Sequence, residues 1–208
     1  MQQDAMQNLF PILPVVDAAL QSAAERSGTS LACRPGCSQC CVGAFAITQL
    51  DAELLRSELA RAPSALAERI QHRARLSWAR LRTTFPGDPL RGLLFTQPEH
   101  EEAFAEFANQ EPCPLLNPAT QTCDLYHARP VACRTFGPPV KDEQGHLTVC
   151  EFCFVDAPAE EVARCEMDQS WRSQEELLIA ASEQRSGLHG LTLVSYALAQ
   201  DPPDQTGA

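Results

Sequence analysis

The stretch Cys33-Arg34-Pro35-Gly36-Cys37-Ser38-Gln39-Cys40-Cys41 places four thiols within nine residues and decides how the chain is organised. Pro and Gly break any helical or strand period across it, so it reads as a loop. Two or three residues between cysteines let several sulfurs converge on one ion at about 2.3 Å, and Gly and Pro supply the tight turns this needs. Cys40 and Cys41 are adjacent, with Cα atoms about 3.8 Å apart, below the usual disulfide span of about 4.4–6.8 Å. A bond between them would be strained. Adjacent side chains also diverge, so at most one of the pair is expected to join Cys33 and Cys37 at a given metal, leaving the other for a second site or as a free thiol.

Working outward, the flanks are helical. Residues 14–27 form an apolar-periodic segment stopped by Gly28. Downstream, Thr48 and Asp51 resemble a capping box, and Leu50, Leu54, Leu55 and Leu59 carry a helical stripe up to Pro63. Ser64 can cap a longer helix in which Leu66, Ile70, Ala74, Trp78, Leu81 and Phe85 recur at three- and four-residue steps. The segment FPGDPLRG is a turn region, and EHEEAFAEFANQ after Pro98 predicts an acidic amphipathic helix. From Glu111 to Cys165 prolines and cysteines interrupt every period except around Asp142–Gly145, where Val140 to Val149 predicts a hairpin. WRSQEELLIAASEQRS predicts a helix ended by Gly187, followed by a shorter helical segment near 191–200 and a Pro/Asp tail, 201–208, expected to be disordered. The expected fold is mainly α, with helices enclosing an irregular cysteine-rich metal centre and a short β-hairpin. Length favours a single domain over 1–208, with 30–155 as its metal-binding region.

A chain of 208 residues can bury a core without covalent staples, so its 10 cysteines ask for a chemical reason. The start MQQDAMQNLFPILPVV lacks a signal-like charge and apolar run, and no later stretch is apolar enough for a bilayer, so the expectation is a cytoplasmic protein with reduced thiols. A formal net charge of −11 argues against nucleic-acid and anionic-membrane partners, which demand a positive footprint. Within that total, Arg61, Arg69, Arg73, Arg75, Arg80, Arg82 and Arg91 face only Glu68 and Asp88 over 61–91. That segment is expected to pack beside the acidic helix holding Glu99, Glu101, Glu102 and Glu106, with docking of a protein partner as the rival reading. Lys141 is the sole lysine and has no supporting site for covalent catalysis.

The second half adds Cys113-Pro-Leu-Leu, Cys123-Asp-Leu-Tyr, Arg129-Pro-Val-Ala-Cys133-Arg134 and Cys150-Glu-Phe-Cys153. The candidate ligands are Cys33, Cys37, Cys40, Cys41, Cys113, Cys123, Cys133 and Cys150. Four thiolates on one divalent ion leave a net charge near −2, which Arg34, Arg129 and Arg134 are placed to offset. Cys153 ranks below these eight, as a Cys-x-x-Cys ligand or redox partner of Cys150. Cys165 reads as a packed thiol, and His127 as a structural or solvated histidine.

With these motifs assembled, the chain resembles the YkgJ-type CxxCxxCC cysteine-cluster family over roughly residues 30–155. It departs from the family's name pattern in having three residues between its first two cysteines. The resemblance implies binding of zinc or an iron–sulfur cluster, and it specifies no reaction. Three functions follow as rivals: an iron–sulfur oxidoreductase, a structural zinc module for protein–protein interaction, and a metal-buffering or delivery protein.

Overall fold

The computed structural model describes residues 10–34, 36–142 and 144–199, without the side chains of Pro98, Glu99 and Glu101. The tail at 201–208 lies outside the described residues. The architecture is mainly α: eight α-helices among the described residues, with two-residue strands paired only in antiparallel couples. Among these residues no helix is long and apolar enough to cross a membrane. The chain divides into two compact units, Met1–Cys37 with Val131–Leu178, and Ser38–Pro130 with Ile179–Ala208.

In the first unit, α1 (Ile12–Ser27) buries Ile12, Leu13, Val16 and Ala23 and stops where Gly28 takes φ 52°, a conformation that favours glycine. The short helix α5 (Val131–Thr135) packs on α1, where Arg134, 3% exposed, pairs with Asp17. The expected hairpin is present, with Val140–Lys141 (β6) against Leu147–Thr148 (β7). Leu31, Cys153, Phe154 and Cys165 form a small apolar cluster, joined by partly buried Cys33, Val149 and Cys150. Between Cys153 and the end of the unit lies α6 (Ala159–Arg164).

The second unit is built on α2 (Gln49–Arg61), α3 (Ser64–Leu81) and α8 (Val194–Ala199). Thr48 caps α2 by accepting from the Asp51 amide while Asp51 accepts from the Thr48 amide, the reciprocal box expected from sequence. Strand β1 (Ala46–Ile47) pairs with β8 (Thr192–Leu193), which delivers α8 onto α2 and α3. Leu55, Ile70 and Ala74 are fully enclosed there with Ile47, Leu115 and Ala197, each larger side chain contributing about 1.5–3 kcal/mol by burial. The short helical segment expected near 191–200 is α8, preceded by a strand because Thr192 and Leu193 find partners on β1. Helix α3 ends at Leu81, and Phe85 enters a separate aromatic cluster with Phe107 and Tyr196. The remaining elements are a hairpin of β2 (Gly87–Asp88) with β3 (Leu93–Leu94), the acidic α4 (Pro98–Glu106), and α7 (Arg172–Ser186), inside which the boundary between the units falls.

Candidate metal centre

All ten cysteines are free thiols. The boundary between units falls inside the first motif, after Cys37, so the candidate ligands separate by chain position. Cys33, Cys37, Cys133 and Cys150 belong to the first unit, and Cys40, Cys41, Cys113 and Cys123 to the second.

In the second unit, backbone pairing gathers the thiols. Gln39–Cys41 form a single 3-10 turn, after which Val42 bridges Pro112. The Cys113 amide donates to the Cys41 carbonyl at 2.7 Å, and the Gly43 amide donates to the Glu111 carbonyl at 2.9 Å. Gly43 takes φ 112°, so glycine is required where this strand turns away. Cys113 then opens a turn, its carbonyl accepting from Leu116, that leads into β4 (Leu116–Asn117). Strand β5 (Thr122–Cys123) pairs with β4 so that Cys123 lies opposite Leu116. Three thiol-bearing segments therefore lie side by side, with Cys113 and Cys123 packed against the core.

Burial and nearby donors act in opposite directions on these sulfurs. The amides of Leu115 and Leu116 are directed at the Cys113 sulfur, and that of Leu125 at the Cys123 sulfur, each favouring the thiolate. Burial works against this and pushes the Cys113 thiol up to about 12, with Cys123 and Cys40 adding to the rise. Cys40 is raised by its contact with the Cys41 thiol and then by burial. Cys123 is raised by burial. Arg129 opposes the rise at both Cys40 and Cys123, and its guanidinium lies 3.9 Å over the Tyr126 ring. Arg129 thus stands near Cys40 and Cys123. His127 is exposed.

Sequence reasoning missed Arg73. Its Nε donates to the Pro114 carbonyl at 2.7 Å, and its guanidinium pairs with Asp124, which also accepts from Asn117. One side chain from α3 therefore ties the segment after Cys113 to the residue after Cys123. Arg80 likewise holds Glu111 through two hydrogen bonds. The sequence pointed these arginines toward α4; the side chains of Glu99 and Glu101 lie outside the described residues, Glu102 and Glu106 are exposed, and the carboxylates met by Arg73 and Arg80 are Asp124 and Glu111.

In the first unit, the Cys37 amide donates to the Arg34 carbonyl at 2.9 Å across Gly36, which takes φ 97°. Cys37 and Arg34 are exposed. Cys133 rides on α5, and Gly137 just beyond it lies so close to Cys33 that a Cβ there would come within 2.6 Å of the Cys33 Cβ and 2.9 Å of its Sγ. The Cys153 amide donates to the Cys150 carbonyl at 2.8 Å, closing a Cys-x-x-Cys turn. Arg134 is engaged with Asp17.

Among the described residues, no three His, Cys, Asp or Glu side chains stand as a ready-made cage. The donor set is nonetheless of the kind a thiophilic metal takes: thiols borne on paired backbone segments, amides that favour thiolate and a nearby guanidinium are what a thiolate-bound metal uses, and metal binding replaces the thiol protons. The family model described as "Putative zinc- or iron-chelating domain", named CxxCxxCC, matches residues 32–154, more than half of the chain. The chain belongs to the CxxCxxCC family. Its matched region contains all eight candidate cysteines and Cys153, and ends before Cys165. Searches of curated proteins and of solved structures gave no match.

Proposed function

We propose that this CxxCxxCC-family chain binds zinc or an iron–sulfur cluster through cysteine thiolates, in a redox or metal-handling role. Cys40, Cys41, Cys113 and Cys123 serve as one ligand group, and Cys33, Cys37, Cys133 and Cys150 as another. The observation that carries this reading is the pairing of Cys41 with Cys113 and of β4 with β5, which brings thiols distant in sequence together beside Arg129. A bound zinc ion would cross-link these segments; an iron–sulfur cluster would add one-electron transfer. The protein's own residues supply the sulfur, direct amide N–H groups at it, and offset its charge through Arg129. Anaerobic purification followed by elemental analysis and ultraviolet–visible absorption tests the proposal. Zinc without visible absorption, or iron with sulfide and charge-transfer bands, is the expected outcome. A reduced, folded chain that takes up neither zinc nor iron would refute it.

A further inference from the structure

Cys150 and Cys153 are the two ends of one tight turn. The Cys153 amide donates to the Cys150 carbonyl at 2.8 Å. A turn closed in this way holds its first and fourth Cα atoms within about 7 Å, and a disulfide spans about 4.4–6.8 Å between Cα atoms. The residue after the turn fixes it in place. The Phe154 amide donates to the Ser30 carbonyl at 2.7 Å, and Phe154 is buried at φ 55°, a left-handed conformation that a bulky side chain keeps only where surrounding structure enforces it. Both cysteine side chains pack in the same small apolar cluster, which puts their sulfurs on one side of the turn. Cys165 shares that cluster, but its thiol donates to the Arg26 carbonyl at 3.4 Å.

Access then separates two roles. Cys150 is partly exposed, and Glu151 and Phe152 beside it form an exposed turn tip, whereas Cys153 is 4% exposed. An oxidant arriving from solvent meets the Cys150 sulfur, with Cys153 held behind it in the same turn.

We propose that Cys150 and Cys153 form a reversible redox pair that reduces hydrogen peroxide. The Cys150 sulfur attacks one peroxide oxygen and breaks the O–O bond, becoming a sulfenic acid while the other oxygen leaves as water. The Cys153 sulfur then attacks the Cys150 sulfur and displaces its hydroxyl as a second water, which forms the S–S bond. Two thiol hydrogens and two electrons pass to the peroxide, and a dithiol reductant restores the pair by exchange. This goes beyond the metal-binding reading and does not depend on it. In the test, the full-length, reduced, metal-free chain is treated with hydrogen peroxide, unfolded, alkylated and digested with trypsin, because peptide 142–164 holds these two cysteines and no other. The expected product is that peptide unalkylated and lighter by two hydrogens, returned to two alkylated cysteines when dithiothreitol precedes alkylation. In Cys153→Ser, Cys150 should stop at the sulfenic acid, which dimedone captures, and Cys165→Ser should behave as the parent does. Two alkylated cysteines in the parent peptide at a peroxide dose that oxidises the exposed Cys37, or a bond from either cysteine to Cys33 or Cys165, overturns the assignment. Since no metal is present, that result leaves the metal-binding reading to elemental analysis.

Discussion

At Gly137 the constraint is distance: the missing side chain leaves room for Cys33, and a methyl there would press on its Cβ and Sγ. Overpacking of this kind costs about 1–3 kcal/mol, and here the strain falls on a candidate ligand. Gly137→Ala should therefore lower zinc uptake together with thermal stability, whereas Gly145→Ala, at φ 83° with open space around it, should affect stability alone. Equal zinc uptake in both variants would remove Cys33 from the centre. Arg129 acts through charge, so Arg129→Gln should keep the fold while weakening zinc retention about 10–100-fold, the usual loss for a group that supports ligands from outside. Arg134→Gln should chiefly destabilise the packing of α5 on α1 in a thermal melt, because its guanidinium is held by Asp17. The buried thiols also set a pH dependence. Cys113 is raised from the ordinary 9.0 to about 12, so its contribution to the metal-free fold is complete below about pH 9 and is lost as pH rises through 12. Cys40, Cys123 and Cys153 shift in the same direction. Denaturation of the metal-free chain should become easier across that interval, and Cys113→Ala should flatten the dependence. Zinc retention should weaken in the opposite direction, as falling pH returns protons to the sulfurs.

Among the elements, α3 shows which parts of the structure can be read from sequence. Its apolar stripe gave the helix and its inner face, and Ile70, Ala74 and Leu81 are buried as that stripe requires, with Leu66 and Trp78 packed at the edges. Local signals also gave the capping box of α2, the glycine stop of α1 and the hairpin of β6 and β7, because each depends on residues a few positions apart. The destination of the arginines depends on partners tens of residues away, and no local period carries that information. Arg73 is the instructive case: a charge that reads as a solvated or docking residue instead joins the segments bearing Cys113 and Cys123. Arg73→Gln should loosen residues 113–124 in hydrogen exchange and reduce zinc binding, with a stability loss of about 1.5–3 kcal/mol for hydrogen bonds to a charged group. Arg73→Lys should rescue little, since an ammonium cannot hold a carbonyl and a carboxylate in one planar fork. Full rescue by lysine would reduce Arg73 to a diffuse positive charge.

Across the whole chain, the thiols were legible as a chemical group, but their distribution was not. The first motif reads as one cluster because its cysteines are neighbours in sequence; Cys40 and Cys41 fall in the same compact unit as Cys113 and Cys123, with the Cys113 amide bonded to the Cys41 carbonyl, and Cys33 and Cys37 fall in the unit that continues at Val131. A pairing between segments as far apart in sequence as those of Cys41 and Cys113 leaves almost no trace in a single sequence. If each group of thiolates holds its own metal, removing one ligand from each should have separable effects. Cys113→Ser and Cys133→Ser should each lower zinc content by part of the parent's total, and the double variant should lose the sum of the two, as expected for sites that share no ligand. Differential alkylation should then show Cys123 exposed by Cys113→Ser and Cys150 exposed by Cys133→Ser, with the other group still protected. If either single substitution instead strips all the zinc and exposes both groups together, the eight cysteines serve one shared centre and the division into two ligand groups is wrong.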